Sequence, residues 1–489
     1  MARPAVLIAL VLVVGLPGLL GTGRDVPAFL LAWLCIAISY VFASANSEQR
    51  ADLLARAWLA AATLSTAMAL AQYFHLAAYL SPWVNASSVG DAYANLRQRN
   101  QFASLTMIGL VALAGLAARG RLQRSAGALA VLLAVGAAAS ASRTGLLQLL
   151  SLVALAWWWS GALRSAATLF YLRALVAYLV AAVALPWVLA LAGGGFAESA
   201  LFRLTQDYGC NSRRVLWSNV LDLIRLRPWT GWGWGELDYA HYMTLYDGPR
   251  FCDILDNAHN LPLHLAVEFG VPAALLVLGG FGWMVLRARP WAEQAPVRQM
   301  AWGVLLVIGL HSLLEYPLWY GPFQIAFGLA LGLLWPRGVA ASPDVKRKSV
   351  LAIVCSRAVA IFLIASVLYA GWDYHRIGQI YLAPEERAAA YRDDAMGEAR
   401  KSWLFRNQVE FAELTTTELR PANAARVHAM ALELLHYSPE PRVIEKLIES
   451  AVLLRRDGEA LQYLARFRAA FPEAYAQWSA THPHSVPPN

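Results

Sequence analysis

QFASLTMIGLVALAGLAA, residues 101–118, is an uncharged run of apolar and small residues. As a helix rising 1.5 Å per residue it reaches about 27 Å, close to the roughly 30 Å of a bilayer's hydrocarbon. Its two ends differ in kind. Gln98-Arg-Asn100 precede it, and Arg119, Arg121 and Arg124 follow. Basic residues gather on the cytoplasmic side of membrane proteins. This stretch therefore predicts a membrane-spanning helix whose Gln98 end faces away from the cytoplasm.

Similar blocks recur along the chain, near 5–22, 27–45, 57–78, 125–141, 144–162, 174–192, 260–285, 300–316, 322–336 and 351–371. With 101–118 they make about 11 spans. Of 489 residues, 58% are hydrophobic and 15% are charged, with a mean hydropathy of +0.45; soluble proteins carry nearer a quarter charged. The first block follows Arg3 as a signal peptide would, but the next span comes after a short turn, so it reads as an uncleaved helix. With the N-terminus inside, the cytoplasmic loops hold Arg3, Arg50, Arg56, Arg119, Arg121, Arg124, Arg164, Arg173, Arg287, Arg289, Arg298, Arg337, Lys346, Arg347 and Lys348. The short outside loops hold Arg24, Arg97 and Arg99, with Arg143 at a helix end. That asymmetry accounts for the net charge of +8 without any nucleic-acid partner.

The expected fold class is all-α: a polytopic membrane protein with a large outside loop and a C-terminal outside helical domain. The boundaries expected are 1–192 for a first bundle of about 7 helices, 193–259 for the loop, 260–371 for four further spans, and 372–489 for the soluble tail. In the tail Val427, Met430, Ala431 and Leu434 stand at i, i+3, i+4 and i+7, as do Ile444, Leu447, Ile448 and Ala451. Those spacings predict amphipathic helices. Pro439, Gly458 and Pro472 punctuate them into hairpins loosely like tetratricopeptide repeats, with too little self-similarity for a repeat.

Cys35 and Cys355 lie in expected spans, where cysteine packs as a small hydrophobe. Cys210 and Cys252 both fall in the outside loop and bracket Arg213 to Trp234. In an oxidising compartment they form a disulfide, the alternative being a pair of unpaired cysteines.

Polar residues in or beside spans cost free energy unless partnered, and so they mark function. Gln98 and Asn100, Arg143 in Ser-Ala-Ser-Arg-Thr-Gly, Asp256-Asn-Ala-His259-Asn260, and the segment His311-Ser-Leu-Leu-Glu315-Tyr316-Pro-Leu-Trp-Tyr320 all come to the outside face. Four clusters on one face imply a site there, away from cytoplasmic nucleotides.

Arg213-Arg214-Val-Leu-Trp217, Pro228-Trp-Thr-Gly231-Trp-Gly233-Trp-Gly235, His259-Asn260 and Glu268-Phe-Gly270, in that order, resemble the O-antigen ligase/polymerase superfamily. Within it, Gln98-Arg-Asn100, the His311 to Tyr320 segment and the helical tail are similar to bacterial protein O-oligosaccharyltransferases of the pilin-glycosylation type. The resemblance implies a bacterial inner-membrane enzyme with its active site facing the periplasm. It implies transfer of a glycan en bloc from undecaprenyl pyrophosphate to Ser or Thr hydroxyls of an exported protein such as pilin. The implied partners are the lipid-linked donor, the acceptor protein and membrane lipid.

A pyrophosphate leaving group calls for planar, bidentate arginine donors, and Arg143, Arg213 and Arg214 are the candidates. Asp253 and Asp256 would hold a metal only with help, so no metal or cofactor is expected. The attacking hydroxyl must lose a proton, and a histidine near neutral pKa can take it. His259 is the candidate base; a donor-orienting role is its alternative, and His264 is the rival histidine. Gln98, Tyr316 and Tyr320 complete the expected catalytic set. Asn100, Asn260, His311 and Glu315 join the arginines in binding substrate. Arg143 also fits a snorkelling boundary residue, and one of Arg213 and Arg214 fits an ordinary surface charge. The Trp-Gly-Trp-Gly run suits a tight interfacial turn better than sugar stacking. Two rivals keep the chemistry and change the acceptor, to lipid A core or to a growing O-antigen. A transporter predicts paired halves and mid-membrane polar groups, which this sequence does not show.

Overall fold

The computed structural model describes residues 47–193, 209–334 and 368–481, with a few positions between 358 and 366. Among these, all regular structure is helical. Residues 47–193 and 281–334 form one compact unit, and residues 209–280 and 368–481 form another.

The first unit is built from helices α1 (Ser47–Tyr73), α2 (Arg99–Ala118), α3 (Ala126–Ala139), α4 (Arg143–Ser160) and α5 (Ala166–Leu191), with α10 (Pro296–Ser312) and α11 (Gly321–Leu334). α2 is its axis, buried at nearly every position from Gln101 to Leu116 and packed against α1, α3, α4 and α10. Small residues set these crossings. A Cβ on Gly109 would lie 2.4 Å from Ala62 Cβ, and one on Gly136 2.5 Å from Thr66 Cγ2. With no water to expel between apolar helices, such close backbone approach is what holds them together.

Among the described residues four helices are long and apolar enough to cross a membrane: Ala51–Tyr73, Arg99–Ala118, Ala166–Leu191 and Val271–Ala292. The expected spans near 5–22 and 27–45, and most of 351–371, lie outside the described residues. Several boundaries differ from expectation, three of them for a visible reason. The helix expected at 57–78 stops at Tyr73, because His75 adopts a left-handed φ of 59°. The one expected at 174–192 begins at Ala166, where the Ser165 side chain accepts from Thr168 N; Arg173 continues the helix with its side chain exposed. The third difference bears on the site. The span expected at 260–285 is two helices, α8 (Leu261–Phe269) and α9 (Val271–Ala288), broken at Gly270 with φ of 85°. Gly270 ends α8 and Pro272 opens α9, the usual stop and start residues.

In the second unit α6 (Arg213–Leu226) turns Leu216, Val220 and Leu223 onto Leu237, Ala240, Phe251, Leu255, Ala258 and Val267. The tail stacks α12 (Arg406–Thr416), α13 (Ala424–Leu435), α14 (Pro441–Leu453), α15 (Asp457–Ala470) and α16 (Pro472–Thr481) as successive neighbours. Val427, Ala431 and Leu434 are buried in its core with Ile444, Leu447, Ile448 and Ala451. Short α7 (Leu237–Met243) adds Tyr242 to that same core, and Arg466 Nε donates to Met243 O at 3.0 Å. The loop at 209–259 and the tail thus pack as one body, although the sequence separates them by more than a hundred residues.

Candidate functional site

The polar residues gather into two groups, one in each unit. The first lies where α2 and α4 begin and α10 ends. Gln98 caps α2, its Oε1 accepting from Gln101 N at 2.6 Å. Asn100, on the first turn, joins three segments. Its Oδ1 accepts from Ser142 Oγ at 2.6 Å, and its Nδ2 donates to Glu315 Oε1 at 3.3 Å. Ser142 is also the cap of α4, accepting from Gly145 N at 3.0 Å. One turn deeper, Ser104 Oγ lies 2.9 Å from His311 Nδ1, and Gln148 Nε2 donates to Ser104 Oγ at 2.7 Å. Phe323 meets the His311 ring edge-on at 5.6 Å. Tyr316 and Tyr320 stack with ring centres 5.6 Å apart. Arg143 is exposed at the first position of α4. Of the sequence candidates, Gln98, Asn100, Arg143, His311, Glu315, Tyr316 and Tyr320 therefore all fall in this unit.

The second group surrounds the α8–α9 break. The Trp-Gly-Trp-Gly run is laced to the end of α8: Trp232 N donates to Val267 O and Gly233 N to Glu268 O, both at 2.9 Å, and Gly235 N to Glu268 Oε1 at 3.1 Å. Val271 N donates back to Pro228 O at 2.8 Å. Its tryptophans pack inward. Trp232 Nε1 donates to Leu223 O with the Arg227 guanidinium 4.1 Å over its ring, and Trp234 lies against Phe269. The run is a braced turn.

Three histidines of this unit differ sharply. His241 is buried, bonded to Tyr246 Oη at 2.8 Å and Phe251 O at 3.1 Å; burial, aided by Arg250, pulls its pKa down to about 3. His264 is buried beside Glu268, Nε2 to Oε2 3.5 Å, and burial, aided by His259, likewise pulls it to about 3. Both are neutral scaffold groups at physiological pH. His259 is half-buried, with a left-handed φ of 50°, and its N–H donates to Asn257 Oδ1 at 2.9 Å. Asn260 then caps α8 by accepting from Leu263 N at 3.0 Å. Trp217 Nε1 donates to Ala258 O at 3.1 Å and so ties α6 to this turn. Arg213 and Arg214 open α6, the first half-buried and the second exposed. Cys210 and Cys252 are disulfide-bonded, with Cα atoms 5.5 Å apart. Among the described residues no three His, Cys, Asp or Glu side chains are grouped to hold a metal; Asp253 and Asp256 stand without a third.

Sequence reasoning missed Ser104 and Gln148, and quoted Ser142 and Glu268 within motifs without giving them a role. Ser104 is four residues after Asn100 on one helix face, and Gln148 is an amide inside an apolar span. Both signals were readable, since an unpartnered amide there is costly.

Three family models match the chain: "Protein glycosylation ligase" over residues 92–116, "O-Antigen ligase" over 128–278, and "Virulence factor membrane-bound polymerase, C-terminal" over 299–485. The chain is similar to O-antigen ligases and protein glycosylation ligases. The first model spans Gln98 to Ser104, the second Ser142 through the Trp-Gly turn and His259, and the third the His311 to Tyr320 segment and the tail. The general O-oligosaccharyltransferase of Acinetobacter baylyi is 23% identical over 378 residues, which are 74% of this chain and 64% of that protein. The match thus spans less than two thirds of this relative's length. No solved structure matches.

Proposed function

We propose that this chain is a glycosyltransferase that moves a glycan en bloc from undecaprenyl pyrophosphate to Ser or Thr hydroxyls of exported proteins such as pilin, at the periplasmic face of the inner membrane. The observation that carries the reading is the bonding of Asn100 to both Ser142 and Glu315, which joins three segments that the protein glycosylation ligase, O-antigen ligase and membrane-bound polymerase resemblances cover one each.

In this reading the acceptor oxygen attacks the anomeric carbon while the bond from that carbon to the phosphate oxygen breaks. The electron pair leaves on the pyrophosphate, and Arg143, Arg213 and Arg214 meet its charge. His259 takes the hydroxyl proton. Its left-handed backbone supports that role, because strain of about 1–3 kcal/mol at a non-glycine residue tends to be retained where function needs it. The buried, neutral His264 is a support for the turn. Gln98, Tyr316, Tyr320, Asn260 and Glu315 hold the sugar or phosphate by hydrogen bonds. The loop at 209–259 and the tail face the periplasm in this reading, as the arginine asymmetry implies.

The O-antigen ligase match favours a second reading, with lipid A core or a growing O-antigen as acceptor. Expressing the chain with a lipid-linked glycan pathway and a candidate pilin separates the two. A glycan mass added to the pilin, absent with His259→Ala, is the expected result. A mass added to lipid A core, with the pilin unmodified, would replace the first reading with the second.

A further inference from the structure

The amide of Gln148 faces two oxygens, the Val307 carbonyl at 3.0 Å and Ser104 Oγ at 2.7 Å. A carbonyl accepts and cannot donate, so the amide atom between them is the nitrogen. One N–H goes to Val307 O and the other to Ser104 Oγ, which is thereby an acceptor. The Ser104 hydroxyl has a single proton. Among the described residues the atom left to receive it is His311 Nδ1, at 2.9 Å. Gln148 and Ser104 are 0% exposed and His311 1%; a buried hydroxyl proton without an acceptor costs about 1–3 kcal/mol. If Nδ1 carried the ring proton, Ser104 would accept from both neighbours and its own proton would be stranded. The hydroxyl therefore donates to Nδ1, and the imidazole proton sits on Nε2. Phe323, edge-on at 5.6 Å, fixes the ring plane.

We infer that Gln148 and Ser104 are positioning residues that hold His311 as its neutral Nε2–H tautomer, making it a fixed hydrogen-bond donor to an oxygen of the phosphorylated substrate and not a base. This rests on the glycan-transfer reading for the identity of that oxygen. It deepens that reading by separating two histidine roles: His259 accepts a proton, and His311 only donates a hydrogen bond. A preorganised donor of this kind acts where charge develops on the leaving group.

The test is nitrogen-15 NMR of the full chain, histidine-labelled and held in lipid nanodiscs, with the His311 signals assigned by their loss in His311→Asn. Wild type should show a bare Nδ1 and a protonated Nε2, unchanged between roughly pH 6 and 8, where ordinary histidines titrate. Gln148→Glu should reverse the relay. Once ionised, the introduced carboxyl has no proton to give, so it accepts from Ser104, which must then accept from Nδ1–H. Ser104→Thr keeps the hydroxyl and should keep the wild-type pattern, with Ser104→Ala losing it. Ser104→Ala should also slow transfer by on the order of tenfold to a hundredfold, the usual effect of misplacing a site group. A wild-type ring protonated at Nδ1, or a Gln148→Glu ring that keeps the wild-type tautomer, would overturn the relay. Should Gln148→Glu not insert, a Ser104→Ala ring with the wild-type pattern does the same. The full tautomer pattern in a chain without glycan transfer would leave the relay standing and refute the transfer reading.

Discussion

Gly231→Ala tests the brace between the Trp-Gly turn and the α8–α9 break. Gly231 has a φ of 68°, and a Cβ there would lie 2.3 Å from the Glu268 carbonyl oxygen and 2.4 Å from its carbon. A left-handed alanine costs roughly 1–2 kcal/mol. The overlap is with backbone, which no rotamer change relieves, and overpacking of this kind costs about 1–3 kcal/mol more. Together about 2–5 kcal/mol is lost from local closure, because Glu268 O must leave Gly233 N and Val267 O must leave Trp232 N. At about 1.4 kcal/mol per tenfold, the open population rises roughly thirtyfold to several-thousandfold. Limited proteolysis of the nanodisc-held protein reads that population, with cleavage mapped between residues 228 and 271. Gly248→Ala is the control, since a Cβ there meets nothing within 4 Å. Equal cleavage rates for wild type, Gly248→Ala and Gly231→Ala would refute the argument that this close approach holds the turn.

His259→Asn keeps a residue that tolerates the left-handed region while removing the imidazole; it should melt like wild type and transfer no glycan, and normal turnover would end the base assignment. His436 Nδ1 lies 2.7 Å from Glu236 Oε2, and that hydrogen bond raises its pKa above 6.5 against the opposing effect of burial. A raised histidine pKa stabilises fully below the unfolded value and loses that contribution as pH climbs through the folded one. Attachment of α7 to the tail should therefore weaken above about pH 6.5, modestly because the pair is partly solvated; melting curves of Glu236→Gln that keep the wild-type pH slope would contradict this. Cys210 and Cys252 should resist alkylation until reduced, and loss of the bridge should cost about 3–4 kcal/mol in the chain-entropy view; full labelling without reductant counts against it. Arg214→Gln should stabilise the free protein by about 0.3–1 kcal/mol, by relieving the α6 dipole, yet weaken donor use. Lysine there should restore only part of the loss, and a lysine variant as active as wild type would show that the planar fork is not needed.

Most helices were legible because they carry their own signal, an apolar block of bilayer length or an i, i+3, i+4, i+7 stripe such as Val427 to Leu434; α6 and α7, inside the stretch expected as a loop, were not. Boundaries set by one backbone conformation were not. Nothing in hydropathy distinguishes Gly270 as a break from the other glycines of that apolar stretch; the reason lies in Trp229 O, whose approach to within 2.3 Å of a Cβ position is a long-range fact. The candidate site was legible in its members but not in its wiring. His311, Asn100 and Glu315 stand out as polar residues beside spans. That Asn100 reaches Glu315, 215 positions away, follows only once α10 lies against α2. Ser104 and Gln148 were passed over because a lone serine or glutamine in a helix is cheap to ignore in a string of letters. Only burial shows what each must bond.

The starts of three helices add an electrostatic argument for an anionic substrate. α2 opens Gln98-Arg99, α4 opens Ser142-Arg143, and α6 opens Ser212-Arg213-Arg214, and none has an acidic residue in its first turn. A helix N-terminus carries partial positive charge and favours acids, each arginine there costing about 0.3–1 kcal/mol. Three other helices do carry acids there, α1 with Glu48, α15 with Asp457 and Glu459, and α16 with Glu473, whereas α10, α12, α13 and α14 also have an arginine and no acid in the first turn. At α2 the cost is answered within the protein, by the ion pair of Arg99 with Asp91. At α4, and separately at α6, an arginine beside the first-turn backbone N–H groups is chemistry that suits an anion. The pyrophosphate of the proposed lipid-linked donor has that chemistry.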